Sequence, residues 1–221
     1  VPISHDTDLQ TTVAGPNVIL GGAPLLGDLT GIGHYTRQLA SAMIEYQLLS
    51  DLKLMGEMSF LDISLLDRLK VDSCCSEEIG LQELDWKSLI HSVRKIARSI
   101  GSQSYVATKL YFEITNLISE KKLRKYVQTY LFHSPNFILP YYDGPKIVTI
   151  HDLSVIKHPE FHRKQMVELC ERGITRGIEE GAHVLTDSFL VQGEIKKEFG
   201  LHNDRISTVH LAPDAGCRPR N

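Results

Sequence analysis

Short apolar runs alternate with stretches of helical periodicity along most of this chain, and this alternation constrains the fold more than any other feature. The apolar runs are rich in β-branched residues, which predicts buried strands. The predicted strands occupy 17–25, 52–60, 127–133, 146–151, 182–187 and 205–213. The predicted helices occupy 34–46, 91–100, 104–126, 163–179 and 188–199. Strands that alternate with helices predict an α/β fold, in which a parallel sheet carries helices on both faces.

A glycine-rich loop follows the first predicted strand. The loop GDLTGIG (27–33) would let the backbone N–H groups of Gly31, Ile32 and Gly33 approach an anion at the start of the next helix. A tight strand-to-helix turn explains the same glycines equally well. Thr36 stands where the dinucleotide fingerprint G-x-G-x-x-G has its third glycine, so that fingerprint is incomplete.

Two predicted helices carry further detail. In the helix over 34–46, five residues fall on one face at helical spacing and predict the side turned to the core. These residues are Tyr35, Leu39, Ala42, Met43 and Tyr46. The helix over 188–199 begins at Ser188, a good N-cap, and is closed by Gly200.

Polar groups follow the predicted strands at the edge where open α/β sheets bind ligands. The groups are His133, Asn136, His151, Asp152, Asp187 and Ser188. A histidine at a strand end can donate a hydrogen bond to a sugar hydroxyl or polarise a leaving group. It can also be a structural histidine bonded to a loop backbone. His133 and His151 end neighbouring predicted strands and each precedes a polar loop, which favours a functional role.

Composition and missing motifs exclude several functions. The 221-residue chain has a net charge of −3, so we expect no nucleic-acid partner. The sequence contains no window of about 18 uncharged apolar residues, so we expect no transmembrane helix. The sequence has neither a Walker loop nor a G-x-S-x-G elbow, which argues against a P-loop NTPase and an α/β-hydrolase. The histidines lack metal-ligand spacing, so we expect no metal site.

The basic helical patterns between residues 91 and 126 allow two interpretations. Their lysines and arginines can contact an anionic membrane surface or a partner, or they can form a solvated helix face, which we favour. The cysteines match no zinc or redox spacing and predict reduced thiols in the cytosol. They are Cys74, Cys75, Cys170 and Cys217.

Five segments occur in an order that is typical of one enzyme family. They are PLLGDLTGIGHYTRQLASAM (24–43), HSPNFILP (133–140), GPKIVTIHDLSVIKHPEFH (144–162), HVLTDSFLVQGEIKKEFGL (183–201) and RISTVHLAPDAGCRP (205–219). Together they resemble the N-terminal half of family-4-type retaining glycosyltransferases with the GT-B fold. The elements T-I-H-D-L-S and G-I-G-x-Y-T are closest to the mannosyltransferase-like branch that builds bacterial surface polysaccharides.

The resemblance implies a domain organisation and a reaction. Residues 17–221 would form a Rossmann-like acceptor-side domain, residues 1–16 a flexible leader or linker, and the C-terminal donor-binding domain would be absent. The family transfers a hexose, here mannose, from a nucleotide sugar to a glycan or lipid-linked acceptor. GDP-mannose or a UDP-sugar would be a substrate, with no cofactor and no metal. The protein would be cytoplasmic, with peripheral contact at the inner membrane face as an option.

The resemblance also implies roles for individual residues. His133, His151 and Asp152 would line the catalytic cleft, and the substrate would be bound by Gly31, Ile32, Gly33, Tyr35, Asn136 and Ser188. The sequence departs from the family pattern at His34, where arginine is common, and at Asp187, where a small apolar residue is common. Two other functions remain open: a non-catalytic Rossmann-like binding or scaffold module, and a nicotinamide dehydrogenase.

Overall fold

A seven-stranded sheet organises the protein, as seen in a computed structural model that describes residues 15–71 and 105–212. Its strands are β1 (Asn17–Gly21), β2 (Asp51–Met55), β3 (Phe60–Leu61), β4 (Leu131–Ser134), β5 (Lys146–Thr149), β6 (His183–Thr186) and β7 (Ile206–Thr208). The order across the sheet is β3-β2-β1-β4-β5-β6-β7. All pairs are parallel except β2 with β3. The predicted α/β, Rossmann-like architecture is confirmed.

Six α-helices surround this sheet in the described parts of the chain. They are α1 (Gly31–Glu45), α2 (Leu65–Val71), α3 (Tyr105–Leu123), α4 (Ser154–Lys157), α5 (Lys164–Glu179) and α6 (Phe189–Phe199). Short 3-10 turns occur at Ala23–Leu25, Arg124–Tyr126, Pro159–Phe161 and Asn203–Arg205. The predicted ends of α6 are confirmed: Val191 N donates to Ser188 Oγ at 3.2 Å, and Gly200 closes the helix with a φ of 64°.

Neighbouring residues of β1 pack into two separate cores because successive side chains point to opposite faces of a sheet. Ile19 belongs to the larger core, with Leu123 of α3 and Ile174 of α5. Leu20 belongs to the smaller core, with Ala40 of α1 and residues of α2. Burying each large aliphatic side chain stabilises the fold by about 1.5–3 kcal/mol. Helices therefore cover both faces of the sheet, as predicted.

Two strand predictions need correction. The run over 52–60 contains two strands, because the chain turns after Gly56, whose N–H donates to Ser59 O at 2.8 Å, and returns antiparallel. The strand predicted over 127–133 begins only at Leu131. Thr129 and Tyr130 instead donate their N–H groups to Tyr126 O, which ends the preceding 3-10 turn.

The inward face predicted for α1 is partly correct: four of its five residues are half-buried, and Leu39 packs against the smaller core. Tyr46 is 69% exposed, whereas the buried residues of the helix are Gly33, Thr36, Arg37 and Ala40. The buried polar groups have partners: Arg37 Nη1 donates to Leu69 O at 2.7 Å, and Thr36 Oγ1 donates to Ile32 O at 2.7 Å. Apolar periodicity did not identify the most deeply buried residues of this helix, because satisfied polar side chains can be buried at low cost.

Several predictions fall outside the described residues. These include residues 1–14 of the leader predicted over 1–16, the helical pattern over 91–100, and the cysteines at 74, 75 and 217. Cys170 is buried in the larger core, and this burial raises the pKa of its thiol to about 12. Among helices of the described ranges, none has the length and apolarity that a membrane span requires.

Candidate functional site

A crevice forms where the chain reverses its direction across the sheet. From β1 the chain moves to β2 and β3 on one side, and it later returns to place β4 on the other side of β1. The connections of β1 and β4 therefore diverge at the carboxyl ends of these strands, where open α/β sheets bind their ligands. A cavity of about 200 Å³ lies here, lined by the ends of β1, β2 and β4 and by α3.

His133 lies within β4, on the sheet face that α1 covers. Its side chain is almost inaccessible, with the residue 3% exposed. The parallel register pairs His133 with Ile147, so Thr149, two residues further along β5, faces the same side. His133 Nε2 lies 2.9 Å from Thr149 Oγ1, and the Tyr35 hydroxyl of α1 lies 3.4 Å from the same oxygen.

This environment fixes the charge of His133. Burial, with a smaller contribution from nearby His151, lowers the pKa of His133 from 6.5 to about 4. Burial also raises the pKa of the Tyr35 phenol. Both groups are therefore neutral at physiological pH, and the network of His133, Thr149 and Tyr35 offers hydrogen bonds without charge.

His151 lies two residues beyond the end of β5 and joins three strand ends. Its Nδ1 lies 2.6 Å from Asp187 Oδ2, just after β6, and its Nε2 lies 3.0 Å from Pro135 O, just after β4. The His151 and Asp187 side chains are 17% and 20% exposed. The Tyr35 ring meets the His151 ring edge-on, with 4.9 Å between centroids. Tyr35 thus contacts both histidine environments.

The last three residues of the predicted glycine loop, 31–33, belong to the first turn of α1, so the helix begins three residues earlier than predicted. N–H groups in a first helical turn have no acceptor within the helix, the Thr30 side chain makes no capping bond, and this turn contains no acidic residue. A Cβ on Gly31 would meet nothing within 4 Å, whereas one on Gly33 would lie 2.8 Å from Pro24 O. Gly31 therefore leaves room for an anion, and Gly33 allows close packing of the helix.

The remaining predicted residues use their polar atoms in local turns. Asp152 Oδ1 accepts from Ser154 N at 2.8 Å, and Asn136 Oδ1 accepts from Ile138 N at 3.0 Å. Ser188 Oγ caps α6. These residues lie at the predicted edge of the sheet, and the contacts seen here shape the loops that leave it.

Several residues of the crevice have no counterpart among the predicted site residues. Glu57, Tyr111 and Asn116 line the 200 Å³ cavity, and the Tyr111 hydroxyl donates to the Glu57 carboxylate. They come from the turn after β2 and from α3, where the sequence shows no recognisable motif. Asp187 was noted as a polar group at a strand end, but its contact with His151 depends on the pairing of β5 with β6.

A second cavity of about 600 Å³ lies between α3 and α5 and adjoins the first. Phe112, Asn116 and Ile138 line both cavities. The larger one is also lined by charged residues of α5, including Glu168 and Arg172. Within residues 15–71 and 105–212, no three His, Cys, Asp or Glu side chains come close enough together to hold a metal ion.

Comparison with known proteins gives one informative match. No protein-family model matches the chain. The chain is 28% identical over 208 residues to "O-antigen chain mannosyltransferase B" of Escherichia coli. The alignment covers 92% of this chain and 49% of that protein, so the chain spans about half the length of the curated relative it matches. This α/β domain is thus distantly homologous to an O-antigen mannosyltransferase.

Proposed function

We propose that this chain is the acceptor-side half of a retaining glycosyltransferase, which transfers mannose from a nucleotide sugar to a glycan or lipid-linked acceptor. The observation that carries the proposal is the distant homology to an O-antigen mannosyltransferase along 92% of the chain. The crevice between β1 and β4 supports it, because it lies where this fold class binds ligands. GDP-mannose is the proposed donor, and UDP-sugars are the alternative.

The chemistry of such a transfer matches the groups at this edge. A departing nucleoside diphosphate needs preorganised hydrogen-bond donors, and the sugar passes through a state that resembles an oxocarbenium ion. The first turn of α1 offers its N–H groups and the positive end of the helix dipole to a phosphate. His133 is a neutral group, so the backbone of α1 carries the stabilisation of the diphosphate in this proposal.

The proposal is tested with the protein expressed from its complete reading frame. Transfer of labelled mannose from GDP-mannose is measured beside transfer of glucose from UDP-glucose. We expect GDP-mannose to be used, with retention of the anomeric configuration. A correctly folded protein that transfers neither sugar and binds neither nucleotide would contradict the proposal.

The variant Gly31→Asp tests the phosphate site directly. A carboxylate at the start of α1 favours the helix through its dipole but occupies the place and charge of a phosphate. We expect the KM for the sugar nucleotide to rise about tenfold, which corresponds to a loss of about 1.4 kcal/mol. Gly193→Asp in α6 is the matched control, since Gly193 also has open space around its Cα. Equal KM values for the two variants would show that the first turn of α1 does not bind the phosphate.

A non-catalytic binding or scaffold module is the second candidate. The observation that favours it is that Asn136, Asp152 and Ser188 all use their side chains in bonds to nearby backbone groups. That function predicts nucleotide-sugar or glycan binding without turnover. The transfer assay and a binding measurement on the same protein therefore separate the two candidates.

A further inference from the structure

We propose that Asp187 is a positioning residue, which holds His151 as a doubly protonated imidazolium and so ties the ends of β4, β5 and β6 together. We call the contacts of His151 with Asp187 and with the Pro135 carbonyl the bridge. The bridge is a property of the fold, and its role in sugar transfer rests on the function proposed above.

The contacts of His151 require hydrogens on both sides of the ring. Pro135 O is a carbonyl oxygen and can only accept, so Nε2 must donate to it across 3.0 Å. Nδ1 faces Asp187 Oδ2 at 2.6 Å, and this contact also needs a hydrogen between its two atoms. A neutral imidazole has a single N–H and would supply only one of the two hydrogens.

The second hydrogen belongs on His151 rather than on Asp187. An ordinary aspartic acid has a pKa near 3.9 and an ordinary histidine one near 6.5, so the proton moves to the imidazole and leaves a carboxylate. At 2.6 Å the contact is slightly shorter than the range of about 2.7–2.9 Å that is usual for charge-assisted N–H···O bonds, so it fits a charged pair better than a neutral one. The two side chains, 17% and 20% exposed, are partly shielded from water, which strengthens their attraction.

The neighbours of His151 supply no competing charge from the other packed elements. The titratable side chains near it are Asp187, Tyr35, His133, Asp152 and His210. Tyr35 of α1 and His133 of β4 are neutral for the reasons given above. The Asp152 carboxylate accepts from Ser154 N, and His210 Nδ1 contacts the backbone oxygen of Asp187.

The bridge reaches the crevice through Pro135. Pro135 and Asn136 line the 200 Å³ cavity. A Cβ on Gly21 at the end of β1 would lie only 2.9 Å from Pro135 Cδ, so the two strand ends are in close contact. Holding the Pro135 carbonyl therefore fixes one wall of the crevice, and Asp187 acts on it from two strands away. The bridge also touches α1, because the Tyr35 ring meets the His151 ring edge-on with 4.9 Å between centroids.

The protonation state is measured on the 221-residue chain with ¹⁵N-labelled histidine. We expect long-range ¹H–¹⁵N spectra at pH 7 to show both His151 nitrogens protonated. Asp187→Asn should convert His151 to a single neutral tautomer, because a neutral amide does not stabilise the cation. Asp204→Asn, which changes an exposed carboxylate of the last 3-10 turn, is the control and should leave the His151 signals unchanged. A neutral His151 in the unaltered chain, or a doubly protonated one in Asp187→Asn, would overturn the proposal.

The role in transfer is measured separately on the complete protein. Asp187→Asn should lower kcat/KM and change its pH profile, whereas Asp204→Asn should do neither. Unaltered kinetics in Asp187→Asn would show that the bridge has no part in transfer. If the unaltered protein transfers no sugar, the proposed function fails, while the NMR spectra still decide whether the bridge exists.

Discussion

The ends of β4 and β5 follow the same sequence pattern, but their histidines differ in burial and in contacts. His133 lies one residue before the end of β4 and is buried under α1. His151 lies two residues after the end of β5, at the rim of the sheet, where it contacts a carboxylate and a carbonyl. A shift of a few residues relative to the strand end thus separates a neutral buried histidine from one that contacts a carboxylate at the rim of the sheet.

The two environments have one common neighbour. Thr149 and His151 are two residues apart and both lie on the α1 side, where the Tyr35 hydroxyl contacts the first and the Tyr35 ring contacts the second. What differs is access to water and to charge. Three variants test this difference, from the buried side outward.

The largest effect is expected from His133→Gln, measured as the pH dependence of the free energy of unfolding. The pKa of His133 is about 4 in the folded chain and 6.5 without the burial. At pH values between these two, the unfolded chain therefore binds a proton that the folded chain does not bind. The stability linked to His133 is complete above pH 6.5 and is lost as the pH falls toward 4. The loss amounts to about 3 kcal/mol. Glutamine can keep a bond to Thr149 but does not titrate, so this part of the slope should disappear.

Denaturant unfolding at intervals between pH 4 and 7 measures the slope. His202→Gln, at an exposed histidine, is the control and should keep the slope of the unaltered chain. If the free energies of unfolding of His133→Gln and of the unaltered chain change equally with pH, His133 gains a proton as readily as an exposed histidine, and the prediction is wrong.

An intermediate effect is expected from Thr149→Val. Valine has the shape of threonine but no hydroxyl, so His133 Nε2 loses its partner inside the protein. We expect the free energy of unfolding at pH 7 to fall by about 2 kcal/mol, the cost of leaving a buried polar group unpaired. Thr149→Ser keeps the hydroxyl and is the matched control. A serine variant less stable than the valine variant would show that the methyl group, and not the hydrogen bond, stabilises this position.

The smallest effect is expected from Tyr35→Phe. The substitution keeps the ring against His151 and removes only a hydroxyl whose contact with Thr149 is long, at 3.4 Å. We expect the free energy of unfolding to change by about 0.5 kcal/mol. Tyr35→Ala also removes the ring contact and should cost clearly more in the same denaturation experiment. Equal losses in the two variants would assign the stabilisation to the hydroxyl.

The fold was predictable because its signals are local. The runs around β1, β5 and β6 are short and apolar, and the ends of α6 are marked by Ser188 and Gly200. The antiparallel β3 was missed because two residues are too few for a period to appear. The most deeply buried positions of α1 were missed because Arg37 is satisfied by a carbonyl of α2, a partner that lies 32 positions away in the chain.

The candidate site was predictable in its location but not in its connections. Parallel strands bring His133, His151 and Ser188 to one edge whatever the details of packing, so their position follows from the strand pattern. The Asp152 and Asn136 side chains were predicted for the site, and the bonds seen for them form local turns. The contribution of α3 to the crevice had no motif to reveal it, because Asn116 and its neighbours have an ordinary helical sequence.

The sequence alone therefore determined the α/β class, the alternation of strands and helices that gives a parallel sheet, and the edge of the sheet where polar groups lie. These follow from periodicity and turn chemistry, which act over a few residues. Tertiary structure decided the surroundings of each histidine. The contacts of His151 are with Asp187, 36 residues away, and with a carbonyl 16 residues away. The neutrality of His133 depends on the helix and strands that bury it, because the free energy of a charge is set by the water and the partners that packing leaves around it.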